Sequence, residues 1–98
     1  MVISRVKGSV VATAKLDNLV GKKLLLVEIV TVRDAGLEPT GRHMVCIDAV
    51  GAGEGELVLV VMGSSARFAP QMADVPTDAV IVGIIDNMQA HGRDLPLR

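Results

Sequence analysis

Three glycines stand at alternate positions, Gly51, Gly53 and Gly55, in the stretch "DAVGAGEGELVLVV" from Asp48 to Val61. Glycine-rich loops beside strands cradle phosphates, because bare backbone N–H groups can close on an anion. A dinucleotide loop needs Gly-x-Gly-x-x-Gly opening a helix, so that the helix N-terminus meets the pyrophosphate. Here the spacing is Gly-x-Gly-x-Gly, and Glu56-Leu57-Val58-Leu59-Val60 after it reads as a strand. Glu54 and Glu56 would repel phosphate, and no Gly-Lys-Ser/Thr ending follows. The plain reading is a connection between strands in which glycine supplies positive φ. Three glycines with Ala52 among them leave a flank nearly free of side chains. That composition suits backbone packed closely against something.

Other reactive residues do not assemble into a site. His43 and His91 are far apart in sequence and outside any His-x-x-x-His ligand spacing, so they read as solvent-facing residues near loops. Cys46 is the single cysteine and lies in an apolar stretch, which excludes a disulfide within the chain and suits core packing in a reducing compartment. The acids Asp17, Glu28, Asp48, Asp78 and Asp86 are scattered. A buried carboxylate such as Asp48 or Glu28 is a candidate acid or base, but the preferred reading is a cap for backbone N–H groups or a pair across an interface. No Ser-His-Asp or Cys-His set follows from spacing, so no catalytic residue, metal ligand or cofactor site is assigned.

These residues must be positioned by strands. "MVISRVKGSVVAT" alternates, with Val2, Ser4, Val6 and Gly8 on one side and Ile3, Arg5, Lys7 and Ser9 on the other. "LLLVEIVTV", Leu24 to Val32, predicts a strand buried on most of both faces. "RDAGLEPTGRH", Arg33 to His43, is polar and carries Gly36, Pro39 and Gly41; it predicts a long loop joining the two strands of a hairpin. "HMVCIDAV", "ELVLVVMG" and "AVIVGIID" predict three further strands. "SSARFAP" predicts one helical turn, with Ser64 or Ser65 as N-cap and Pro70 at its end. "QMADVPTD" reads as irregular, and the tail "NMQAHGRDLPLR" shows no period.

The fold class is therefore mainly all-β: a single domain over residues 1–98, a small five-stranded barrel of the oligonucleotide-binding type with one short helix. Closure removes the edges that such apolar strands would otherwise expose. Single-stranded nucleic acid is the obvious ligand of that barrel, but binding needs a basic groove and aromatic platforms. The chain has one aromatic residue, Phe68, and a formal net charge of −1. Arg5, Lys7, Lys15, Lys22 and Lys23 form at most a local basic face, better read as solvated or paired with a neighbouring subunit. No apolar run is long enough to span a bilayer and no segment resembles a signal peptide, so the expected location is the cytosol. A mean hydropathy of +0.48 points to apolar surface buried between copies.

Three segments together resemble the EutN/CcmL family of bacterial microcompartment vertex proteins, also called BMC-P shell proteins. They are "GSVVATAKLDNLVGKKLLLVE" (Gly8 to Glu28), "DAVGAGEGELVLVVMGSSAR" (Asp48 to Arg67) and "DAVIVGIID" (Asp78 to Asp86). The resemblance implies a structural protein, not an enzyme, that forms a homopentamer and caps the vertices of a polyhedral shell. Its partners would be hexameric and trimeric shell proteins, with no nucleic acid, membrane or cofactor. It further implies that Gly51, Ala52, Gly53, Glu54, Gly55 and Glu56 face the five-fold axis. Asp48, Ser64, Ser65, Ala66, Arg67 and Asp86 would serve subunit contacts or strand ends. The alternative left open by the barrel alone is a binding module for single-stranded nucleic acid or a small anionic ligand.

Overall fold

The computed structural model describes residues 1–12, 21–34, 36–63 and 78–97. The chain forms β1 (Val2–Val10), β2 (Leu24–Arg33), β3 (Gly36–Asp48), β4 (Leu57–Met62) and β5 (Ala79–Ile84). Two short strands follow, β6 (Gln89–Ala90) and β7 (Arg93–Asp94). The first five close into a barrel in the order β1-β2-β3-β5-β4, and β6 and β7 form a separate two-stranded sheet. The pairs are antiparallel except β3–β5, which is parallel and short: Ile47 faces Val80 and Asp48 faces Ile81. This is the expected all-β barrel. The expected helical turn over residues 64–70 and the irregular stretch after it lie almost wholly outside the described residues.

The barrel interior follows from period-two alternation. Val6 on β1, Leu25 and Val27 on β2, Cys46 on β3, Val58 and Val60 on β4, and Ala79 and Ile81 on β5 form one buried cluster. Each pair in register contributes its inward side chains together, as Val60 does with Ile81. The same strands carry a second, smaller cluster on the opposite face, where Ile47 and Val80 are buried with Leu24, Val61 and Val82 beside them. The apolar residues on both faces of these strands thus pack into two distinct clusters.

The segment from Arg33 to His43 differs from expectation. It is strand over most of its length: β3 begins at Gly36, and pairs run Arg33↔Gly36, Val32↔Leu37, Thr31↔Glu38 and Val30↔Pro39. A break in register lies between Glu28 and Val30. There the Gly41 N–H donates to Glu28 Oε2 at 3.0 Å, and Thr40 Oγ1 donates to the Ile29 carbonyl at 2.6 Å. Side-chain acceptors and donors take over where the ladder is interrupted, so a proline and polar residues are tolerated. The polar sequence reads as loop because this ribbon buries little on either face, which removes the hydrophobic alternation that marks a strand.

The tail without period forms the β6–β7 hairpin, with Gln89 opposite Asp94 and Ala90 opposite Arg93. His91 and Gly92 make its two-residue turn, both with positive φ. Leu95 beyond it is buried.

Candidate functional site

Between β3 and β4 the chain turns twice, and each turn has its own anchor. Asp48 ends β3 and makes the first. Its Oδ1 accepts from the N–H of Val50 at 3.0 Å and of Gly51 at 3.1 Å, so the carboxylate builds an Asx-type turn. Its Oδ2 lies 3.6 Å from Lys23 Nζ, and the Asp48 side chain is only 1% exposed. Lys23 also donates to the Ala52 carbonyl at 2.9 Å, which ties the start of β2 to the middle of the loop. The backbone N–H of Asp48 donates to the Lys23 carbonyl at 2.9 Å, so the pair is held by main chain as well as side chain.

Glu56 makes the second turn. Its backbone N–H donates to the Gly53 carbonyl at 3.1 Å, while its Oε1 accepts from the Gly53 N–H at 2.5 Å. The four residues Gly53 to Glu56 thus close on themselves. Val6 on β1 then pairs with this closed turn: its N–H donates to the Glu56 carbonyl at 2.9 Å and its carbonyl accepts from Gly55 at 2.8 Å. Arg5 Nη1 donates to the Gly55 carbonyl at 2.9 Å. Among the described residues, the side-chain anchors of the loop come from Arg5 on β1, Lys23 just before β2, and the acids Asp48 and Glu56.

This geometry sorts the three glycines. Gly51 has φ +79 and Gly55 φ +87, and a Cβ at either would meet nothing within 4 Å. Turn conformation alone requires glycine there. Gly53 has no such φ, but a Cβ on it would lie 3.3 Å from Glu56 Oε1. Within one chain the loop is therefore not crowded by other backbone. Ala52 is fully buried and belongs to the barrel core, so its methyl anchors the loop instead of joining a bare flank. Glu54 is exposed, and Glu56 is half-buried by its bond to Gly53.

Asp86 lies exposed just past β5. Ser64, Ser65, Ala66 and Arg67 lie outside the described residues. Of the basic residues near the N-terminus, Arg5, Lys7 and Lys23 have partners within the chain. Lys7 Nζ lies 3.8 Å from Glu28 Oε1, Lys23 holds the loop, and Arg5 holds Gly55. A nucleic-acid groove needs such cations free. Lys15 lies outside the described residues. His43 is exposed, with Nδ1 3.2 Å from the Gly41 carbonyl, and His91 Nε2 lies 3.6 Å from Asp34 Oδ1. Among the described residues no group of three His, Cys, Asp or Glu side chains could hold a metal ion. Burial in the barrel, with the Asp78 charge adding to it, pushes the Cys46 thiol up to about 12. A thiol so held is a packing residue and no nucleophile.

The roles of Lys23, Arg5 and Glu56 are not evident from the sequence. Asp48 carried the clearest signal: an Asp two and three residues ahead of Val50 and Gly51 is the spacing of an Asx turn.

The fold, the glycine loop and its anchors define a class of protein, and comparison with known sequences names it. Residues 1–86 match the family described as "Ethanolamine utilisation protein EutN/carboxysome", and the chain belongs to that family. The shell vertex protein CcmL of the Synechocystis carboxysome is 47% identical over 88 residues, which is 90% of this chain and 85% of that one. The microcompartment shell vertex protein EutN of Salmonella typhimurium is 42% identical over 93 residues, 95% of this chain and 91% of that one. Among solved structures, the pentameric microcompartment shell protein GrpN of Rhodospirillum rubrum superposes with a TM-score of 0.79 at 44% identity, covering 92% of this chain and 99% of that one. No described helix is long and apolar enough to cross a membrane.

Proposed function

We propose that this chain is a structural shell protein: it assembles as a pentamer and caps the five-fold vertices of a bacterial microcompartment in the cytoplasm. The observation that carries the reading is the match, over nearly the whole chain and at 44% identity, to a solved shell protein described as pentameric. The physical logic is closure. Six-fold tiles alone extend as sheets, and a closed polyhedron needs five-fold points. A heterologous interface that returns to its start after five copies supplies one. The partners are hexameric and trimeric shell tiles around the vertex.

Surface chemistry supports a chain that buries more on assembly. Val45 is 47% exposed, Met62 41% and Val50 40%, all aliphatic and without charge. In this reading the Gly51–Glu56 loop faces the axis, and Glu54 rings the opening. Identity to a carboxysome protein and to EutN is comparable, 47% against 42%, so the reading is of the vertex and not of one cargo.

Native mass spectrometry tests the oligomer: a particle of five times the 10.3 kDa chain mass is expected, and a monomer or dimer at micromolar concentration would refute it. Co-expression with hexagonal shell tiles tests the vertex. Closed particles should form with this chain and open sheets or tubes without it.

A further inference from the structure

The family match ends at residue 86, yet the segment beyond it is bound tightly to the barrel. Leu95 is buried and its N–H donates to the Met88 carbonyl at 2.9 Å. Pro96 lies against Gly36, where an added Cβ would meet its Cγ at 3.1 Å. The last contact is with β1: Arg5 Nη2 donates to the Leu97 carbonyl. The same guanidinium donates through Nη1 to the Gly55 carbonyl in the glycine loop.

We propose that the C-terminal segment, acting through the Arg5 guanidinium, sets the position of the glycine loop. This rests on the reading above only in taking that loop as an assembly contact. Arg5 sits in the middle of the barrel wall, in register with Glu28 on β2 and Leu57 on β4, so its backbone is fixed on both sides. Its planar fork has donors in set directions, and holding one carbonyl restricts where the other can lie. Val6, the next residue, grips Gly55 and Glu56 through its backbone. Side chain and main chain of adjacent residues thus clamp one dipeptide, and one arm of that clamp is shared with the tail. Coupling of this kind is reciprocal: ordering the tail steadies the loop, and fixing the loop in an assembly steadies the tail. Arg5 is a positioning residue, and its partner is this chain's own C-terminal segment.

Hydrogen–deuterium exchange on the full chain tests it. Leu95→Asp dislodges the tail without touching the loop, and Arg5→Gln removes the fork. Both should speed exchange at the Gly55 amide about five- to ten-fold, the change that losing one net hydrogen bond produces. Amides of the β2–β3 ladder should keep their wild-type rates. Arg5→Lys, which can reach only one carbonyl at a time, should fall between. A Leu95→Asp chain whose tail exchanges faster while Gly55 is unchanged would overturn the proposal. So would an equal rise at every barrel amide in both variants. The comparison reads the coupling whether the wild-type chain is pentameric or not, so its failure is distinct from failure of the assembly reading.

Discussion

Replacing Asp48 with alanine removes one carboxylate and three interactions. Two are the hydrogen bonds from Val50 and Gly51 at 3.0 and 3.1 Å. Both donors sit on exposed residues, so water replaces the lost acceptor and each bond is worth a net of about 1 kcal/mol. The third is the 3.6 Å contact with Lys23, whose side chain is 55% exposed; a pair so long and wet adds about 0.5 kcal/mol at most. Freeing the nearly buried carboxylate from its desolvation cost offsets part of this. Lys23 keeps the Ala52 carbonyl as a partner, so no charge is stranded. The expected loss is about 2 kcal/mol. With a urea m-value of about 1–2 kcal/mol/M for a small domain, the midpoint should fall by about 1–2 M. The proposed assembly would add stability by mass action, so the unfolding curves belong at two protein concentrations tenfold apart, and the shift common to both is the chain's own. Asp48→Asn keeps an acceptor for both N–H groups and should cost clearly less. A loss under about 0.5 kcal/mol for the alanine variant, or one equal to that of the asparagine variant, would refute the assignment of the turn to this carboxylate.

Gly55→Ala should destabilise the chain by about 1–2 kcal/mol, because φ +87 is strained for any side chain whatever the space. Gly8→Ala, at ordinary φ and with nothing within 4 Å, should change stability little; equal losses in thermal or urea unfolding would contradict this account. Cys46 should resist thiol reagents in the native state at pH 8. The folded chain holds the thiol proton more tightly than the unfolded chain, at about 12 against an ordinary 9.0. That advantage is complete below pH 9 and is lost as pH climbs toward 12, at about 1.4 kcal/mol per pH unit. The difference in alkaline stability between wild type and Cys46→Ala measures it, and parallel pH profiles would contradict it. Glu54→Gln should leave the oligomer intact in native mass spectrometry, because the exposed carboxylate has no role in closing the turn; dissociation would make it a contact residue.

Much of the barrel is legible because its strands bury one side fully, which imposes period two on Val6, Leu25, Val27, Val58, Val60 and Ile81. The first half of β3 is not legible, since its pairing residues Leu37 to Pro39 belong to a ribbon with little to bury. The β6–β7 hairpin is hidden for a related reason: each strand has two residues, too few for any period, and the turn uses His91 with φ 55 where asparagine or aspartate is usual. In the glycine loop the rejection of a phosphate cradle rests on spacing and acids, and both are visible in sequence. The plain reading of glycine supplying positive φ holds at Gly51 and Gly55, while the long-range partners Arg5, Lys23 and Val6 that hold the loop in place are not visible in spacing. Those contacts join residues dozens of positions apart, and only the closed barrel brings them together.

The parallel seam between β3 and β5 has a consequence for the order in which the chain folds. The β2–β3 ladder is long and local, and hairpins of that kind form early, on the scale of about 1–10 μs. The seam joins segments far apart in sequence by only two register pairs, Ile47↔Val80 and Asp48↔Ile81, with the Ala49 N–H to the Ile81 carbonyl at 3.2 Å beside them. Loop-closure entropy places such a junction after the local β2–β3 ladder. Asp48 stands in that seam and also builds the turn that leads into the glycine loop. An unclosed chain therefore lacks the loop in its final form. In the pentamer proposed above, copies would present it to one another only once each barrel is shut, which would separate folding in time from association.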